Sequence, residues 1–584
     1  MSRSLKSGWS LALVALCALA AVPAASAYEP PANPGKLAKP TKKIKTLTVS
    51  KSCAPAAVTA KTCFSKIQSA VEAAKQTTHK NEYTIKVSPG TYAEFVLIEG
   101  HQFDGLTIQG TTTKASDVKI DLSTLSGTAL TTGPYTGTTP NRNAITVNAT
   151  SGVSIKNLTV THYASNGLWF VNVGVPIAYI QSMDNDPGNV MSPSAPLAKN
   201  ELFGGKAYTV DNVVASFGGS YGIFARTSLG GSITNSEAYY NDDSGFYIGE
   251  TPPQTKPVRT AITNVKSWAN ELGYSGTSSR YVTISKSRWF NNGMGIVPNI
   301  TMSEHWPPPA ENVYTNNDIY SNNFNYFNGA PFPINLGGLG GGAQYPPGIG
   351  MLLFSSQKSE VSNNRFWGNK LSGVSIIDSA ILVKDSSNWK KLCPVGQNPA
   401  LDSKDCKALK EATKPKWNKV FGNVFGIPKD AAGATVGSNR NGRDITYAND
   451  GVGNCVGGTG KNANTFGGTQ TQLVELGRPA DPTKGWQSCD SSKYKSTFAG
   501  SLTVAYFETL TFADATAASG MAGLGLHDPT GVDFVDNTGH QGRWYVWAGT
   551  TGTWPTGFGS ALETCHITSP YLGCDGQKDG KPAS

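Results

Sequence analysis

Between Gly167 and Val374 a glycine is followed seven times by an apolar residue and a strand-like run. The copies begin at Gly167, Gly222, Gly245, Gly273, Gly295, Gly350 and Gly373, and adjacent ones lie 22, 23, 28 or 55 residues apart. A second phrase, an apolar residue with Asn two positions later, runs in step with it at Ile155/Asn157, Val210/Asn212, Ile233/Asn235, Ile262/Asn264 and Val361/Asn363. Self-similarity at this period, made of short β-type runs with no long amphipathic helix between them, predicts a solenoid whose coils bury one another's inner faces. The 65 glycines supply corner residues, and a fold that grows in one dimension accommodates 584 residues without splitting into several cores.

The ends read differently. Arg3 and Lys6 precede an apolar run from Leu11 to Val22 and the small residues Ala25-Ser26-Ala27, the pattern of an export signal over 1–27. No later run is long enough to span a bilayer, so a secreted, extracellular protein is expected. Residues 28–51 are rich in Pro and Lys and read as a solubilising tether; Lys36, Lys39, Lys42, Lys43 and Lys45 also suit an acidic polymer. Eight cysteines remain after the signal, in the local pairs Cys53/Cys63, Cys393/Cys406, Cys455/Cys489 and Cys565/Cys574. An even number in an exported chain predicts disulfides, nearest-neighbour pairing being one of many connectivities, and no pair has zinc-site spacing.

Helical spacing of Ile67, Ala70, Val71 and Ala74 after Ser65, a candidate N-cap, predicts a short helix covering the apolar end of the stack, followed by strands at Tyr83–Val87 and Phe95–Ile98. The run Phe64-Ser-Lys-Ile-Gln-Ser-Ala-Val-Glu-Ala-Ala, then Tyr83-Thr-Ile-Lys-Val-Ser-Pro-Gly-Thr-Tyr-Ala-Glu and Leu106-Thr-Ile-Gln-Gly, resembles the opening of right-handed parallel β-helix proteins of the pectin-lyase-like superfamily. The coils after it resemble the same fold to about Asp378 and more faintly to Phe425. The resemblance implies an all-β, right-handed parallel β-helix, here over 52–435 behind the N-terminal capping helix; after about Val436 the repeat fades, and 436–584 is expected to form an irregular, disulfide-bonded cap or small appended module. It implies function only broadly, because that superfamily holds lyases, hydrolases, esterases and epimerases of polysaccharides as well as adhesins. The Gly-x-x-Asp-Phe-x-Phe-Gly segment of pectin methylesterases is absent, and Asn241-Asp242-Asp243 lacks the companions of the polygalacturonase acids.

Strand alternation assigns faces. Positions one and three after the glycine (Ile223 and Ala225, Phe246 and Ile248, Met351 and Leu353, Val374 and Ile376) are expected in the core. Position two, with Trp169, Phe224, Tyr247, Ser275, Val297, Leu352 and Ser375, points outward, where Trp169, Phe224 and Tyr247 form either a platform for sugar rings or a patch covered by a loop. Asp243 and Glu271 precede their glycines by two residues, and Asp242, Asn270 and Asn292 by three; coils in register bring such positions to about 4.8 Å. Stacked acids there could divide acid and base roles, hold Ca²⁺, or cap turns. Three long connections, 250–259, 299–312 and 323–348, build one face and bring Glu250, Arg259, Glu304, His305 and Trp306, with Arg226 on the neighbouring coil.

These residues predict a protein acting on an extracellular polysaccharide, with Asp242, Asp243, Glu271, Glu304, His305 and Arg226 as candidate catalytic groups. Trp169, Phe224, Tyr247, Glu250, Arg259 and Trp306 are the candidate substrate contacts. A hydrolase needs paired carboxylates; a lyase needs a base together with Ca²⁺ or an arginine, Arg226, Arg259 or Arg280, for the developing anion. The other class is a non-catalytic glycan binder. The net charge of +9, or +7 without Arg3 and Lys6, suits an anionic polysaccharide partner. No cofactor beyond a lyase's Ca²⁺ is implied, neither nucleic acid nor a membrane is expected as partner, and a monomer is expected.

Overall fold

The computed structural model describes residues 33–490 apart from 126–142, 184–190, 192–194, 323–347, 427–440, 467–472, 477–487 and some shorter breaks, Asp242 among them. The signal segment, the 323–348 connection, Cys565 and Cys574 therefore lie outside the described residues, as does most of 436–584.

Among the described residues all ladders between the strands are parallel, and the strands fall into an 11-stranded and a 22-stranded sheet wound by one chain into a right-handed β-helix. Every glycine-led phrase lies in the 11-stranded sheet, and the phrases stack in register: Leu168 is level with Ile223, Phe246, Tyr274, Ile296, Met351 and Val374. These residues, with Phe170, Ala225, Ile248, Leu353 and Ile376, belong to one continuous core, as alternation predicted. The glycines recur because of close approach between coils. A Cβ on Gly222 would sit 2.5 Å from the carbonyl oxygen of Gly245, and one on Gly273 as close to that of Gly295.

Asparagine closes the corners. Asn241, Asn270, Asn292, Asn322, Asn369 and Asn441 form a buried column in which each side-chain NH₂ donates to the next side-chain oxygen at 2.9–3.1 Å. A second column runs through Asn317, Asn364, Asn423 and Asn464. The second sequence phrase marks a third corner: Asn157, Asn212, Asn235, Asn264 and Asn363 all adopt left-handed φ between 51° and 56°, which asparagine tolerates better than most residues.

The ends of the helix depart from expectation. Ile44–Val49 is not tether but an edge strand, paired in parallel with Glu82–Val87 on one side and, at Thr48 and Val49 alone, with Cys63–Phe64 on the other, and it buries Leu47 and Val49. Strands also continue past 435, through Ile445–Ala448 to Leu473–Leu476, where the glycine phrase has gone but the register persists. The capping helix, Ile67–Ala73, buries Ile67, Ala70 and Val71. Ser65 does not cap it; Lys66 is the N-cap, and the Glu94 carboxylate accepts from the amides of Ile67 and Gln68 at 2.8 and 3.1 Å. Disulfides join Cys53 to Cys63, Cys393 to Cys406 and Cys455 to Cys489. Among the described residues no helix is long and apolar enough to cross a membrane.

Candidate active site on the outer face of the 11-stranded sheet

Register brings the position-two aromatics together. Trp169, Phe224 and Tyr247 are level in consecutive coils, their ring centroids 6.2 and 4.5 Å apart. They are not an open platform, because Phe224 and Tyr247 are buried and only Trp169 is half-buried. The covered alternative is therefore the observed one. Part of the cover is Tyr221, half-buried, whose ring lies 4.5 Å from Phe224 and 4.9 Å from Tyr247. The rest includes the 299–312 connection, whose Glu304 accepts a hydrogen bond from the Tyr247 hydroxyl at 2.6 Å to either carboxylate oxygen.

A charged cluster closes the C-terminal end of these strands. Arg226 ends its strand and donates through Nε and Nη2 to Glu250 at 2.7 and 3.3 Å; the Thr227 hydroxyl adds a bond at 2.8 Å. Glu250 also accepts from the His305 amide at 3.0 Å and lies 2.8 Å from His305 Nδ1. Burial opposes the Glu250 charge, but Arg226 and His305 outweigh it and hold the carboxyl well below the ordinary range. Glu304 has the opposite fate: burial, reinforced by the charge on Glu250, drives its pKa up despite Arg226 and the Tyr247 hydroxyl. Two glutamates in one cluster are thereby pushed toward opposite protonation states.

At the N-terminal end of the same strands lie Asp243 and Glu271. The Leu272 amide donates to the Asp243 carbonyl at 2.9 Å, so the two acids occupy equivalent positions in adjacent coils. Asp243 accepts from the Ser244 hydroxyl at 2.5 Å and is reached by the Tyr221 hydroxyl; burial nonetheless lifts its pKa to about 6. Glu271 is buried, and its charge, like those of Asp243 and Glu304, bears on the Tyr221 hydroxyl, whose pKa burial raises well above its ordinary value. Tyr221 thus sits among all three acids. Asp242 was expected level with Asn270, but Asn241 fills that place, because this corner holds one more residue before its glycine than the next.

Arg259 stands away from this group, whereas Trp306 adjoins it, with its ring 5.6 Å from that of His305. Both terminal nitrogens of Arg259 donate to the Glu311 carbonyl at 2.8 and 2.9 Å. Trp306 is buried, 6.0 Å from the Tyr179 ring, and its carbonyl accepts from Arg280 at 3.2 Å. Alignment overlooked Tyr221, whose position directly before Gly222 belongs to no repeated phrase. The only signal for it was an aromatic residue at a coil corner. The donor set for a Ca²⁺ ion is not assembled either: among the described residues no three His, Cys, Asp or Glu side chains gather as a metal site.

Residues 201–388 match the family model described as a right handed beta helix region. This chain is a right-handed parallel β-helix protein. Solved structures that resemble it include the A-module of mannuronan C-5 epimerase AlgE4 from Azotobacter vinelandii, at 14% identity over 70% of this chain and 92% of that one, TM-score 0.40. Pectate lyase Pel9A matches at 13% identity over 78% and 82%, TM-score 0.34. Tailspike protein 2 of Escherichia coli O157:H7 bacteriophage CAB120 matches at 11% identity over 72% and 45%, TM-score 0.38. No curated protein matches the sequence. The chemistry of this β-helix has to be read from its own side chains.

Proposed function

We propose that this β-helix protein is a secreted enzyme that hydrolyses a glycosidic bond in an extracellular polysaccharide, at the outer face formed by Tyr221, Tyr247 and the 299–312 connection. The observation that carries the reading is the divergence of Glu250 and Glu304, one held ionised by Arg226 and His305, the other pushed toward its neutral acid. Glu304 then protonates the glycosidic oxygen as the bond to the anomeric carbon breaks. His305, oriented through Nδ1 by Glu250, takes a proton at Nε2 from the water that attacks that carbon. Asp243 and Glu271 border the same patch, and the half-buried rings of Trp169 and Tyr221 offer faces for sugar stacking. Three disulfides suit an oxidising, extracellular setting.

Hydrolysis fits better than β-elimination because Arg226, the arginine within the cluster, is charge-paired with Glu250, while Arg259 and Arg280 reach the carbonyls of Glu311 and Trp306. A panel of pectins, alginate, glycosaminoglycans and plant or microbial glucans, followed for new reducing ends and for the absorbance of unsaturated uronate, tests the proposal. Reducing ends without that absorbance are expected. The absorbance would replace the hydrolase by a lyase, and binding without either signal would leave a glycan-binding protein.

A further inference from the structure

Charge is distributed unevenly along this β-helix. Residues 36–119, which form its N-terminal edge and cap, hold 13 lysines, no arginine and six Asp or Glu, an excess of seven positive charges against nine for the entire chain. Arg3, Lys6 and Glu29 together add one, so everything after residue 119 carries a net charge of only +1. All 13 lysines are exposed. The acids are mostly turned to structural tasks: Glu82 accepts from the Thr41 amide, Glu94 caps the helix, Glu99 accepts from Asn148, and Asp104 is buried against His101. Among the described residues only Lys114 of the thirteen forms a salt bridge, at 3.9 Å to Asp117.

Folding gathers these lysines instead of leaving them on a tether. The Lys43 carbonyl accepts from the Glu82 amide at 2.8 Å, which brings the Lys42-Lys43 pair alongside the stretch that carries Lys80, while Lys45 is level with Tyr83 and Lys86 with Thr48 on the same pair of strands. We infer that this cap is an anchoring surface for a carboxylate-bearing polysaccharide, separate from the outer-face site. Lysine without arginine supplies an array of hydrated point charges, which suits a hydrated chain of regularly spaced anions and lacks the fork that grips one anion with paired bonds. Of the five aromatic residues in the segment, Tyr92, Phe95 and Phe103 are buried and Phe64 and Tyr83 half-buried, so no row of exposed rings is offered to nucleic-acid bases.

The inference does not rest on the hydrolytic reading, and its test measures binding alone. The secreted chain is applied to immobilised polygalacturonate and to its methyl-esterified form. Retention about tenfold stronger on the acid is expected at about 50 mM salt, fading by about 500 mM as the charges are screened. Replacing Lys43, Lys45 and Lys86 together by Gln is expected to weaken binding to the acid about tenfold, whereas the matching Arg variant retains it. Equal retention on the ester, or unchanged binding by the Gln variant, would overturn the inference. So would tighter binding to phosphatidylserine vesicles than to the polymer. If the Gln variant self-associates while its polymer binding persists, the lysines only guard the edge strand.

Discussion

The two outer faces of the β-helix are built on the same repeat and behave in opposite ways. On the larger sheet, Glu237, Lys266, Arg288, Asp318 and Arg365 are level in successive coils, and two residues on, along the same side, so are Tyr239, Trp268, Phe290, Tyr320 and Trp367. Partners there come from the coil next door: Trp268 Nε1 donates to Glu237 at 2.7 Å, Arg365 grips Asp318 with two bonds of 2.6 Å, and neighbouring rings stack at 4.2–6.5 Å. On the smaller sheet the aromatic column stops after Tyr247, and Glu304 and His305 reach it from a connection more than fifty residues along the chain. Where the repeat supplies its own partners it builds a regular wall. Where it is interrupted, unlike groups are forced together and their ionisation shifts.

This contrast can be broken experimentally. Its strongest test is Glu304→Gln, expected to lower turnover on a hydrolysed polysaccharide about a thousandfold while changing unfolding free energy by no more than about 1 kcal/mol. Comparable loss of both would reduce Glu304 to a structural group. The converse variant is Asn292→Ala in the buried column, which removes an acceptor from both the backbone and side-chain amides of Asn270. About 2–3 kcal/mol should be lost in denaturant titration, with turnover at the outer face retained.

Two pH profiles sharpen the comparison further. Buried His101 lies against Asp104 and Glu201, which outweigh burial and raise its pKa to about 9. A raised imidazole contributes stability below its ordinary value of 6.5 and loses it as pH climbs through about 9, so the wild type should lose on the order of 2 kcal/mol over that window and His101→Gln should not. Asp243 is the reverse kind of acid. With its pKa lifted from 3.8 to about 6, the folded state holds the proton more tightly than the unfolded one, and stability falls as pH rises across that interval. Asp243→Asn should therefore be about 1 kcal/mol more stable than wild type at neutral pH, with the gain gone below the lower value.

Most of the fold was legible because it is local and repeated: the glycine phrase marks close contacts between coils, and the Asn phrase marks corners with positive φ. The edge strand at Ile44 escaped notice because lysines flank it and its only buried residues are Leu47 and Val49. The continuation past 435 was missed for a related reason, since Ile445 and Tyr447 keep the inward positions without a leading glycine. At the candidate site, the acids before the glycines were visible as a pattern, whereas the pairing of Tyr247 with Glu304 depends on how a connection folds back and carries no periodicity. A single extra residue in the corner before Gly245 was enough to move the alignment from Asn241 to Asp242.

The disulfide between Cys393 and Cys406 closes a helical excursion in which Trp389 and Leu409 pack with Ile300 and Met302, immediately before Glu304. The segment that carries Glu304 and His305 therefore packs against a buttress inserted two windings later in the chain, and a ribosome must finish that buttress before this packing can form. If Glu304 and His305 act as proposed, activity would emerge late in biogenesis, after this disulfide has formed.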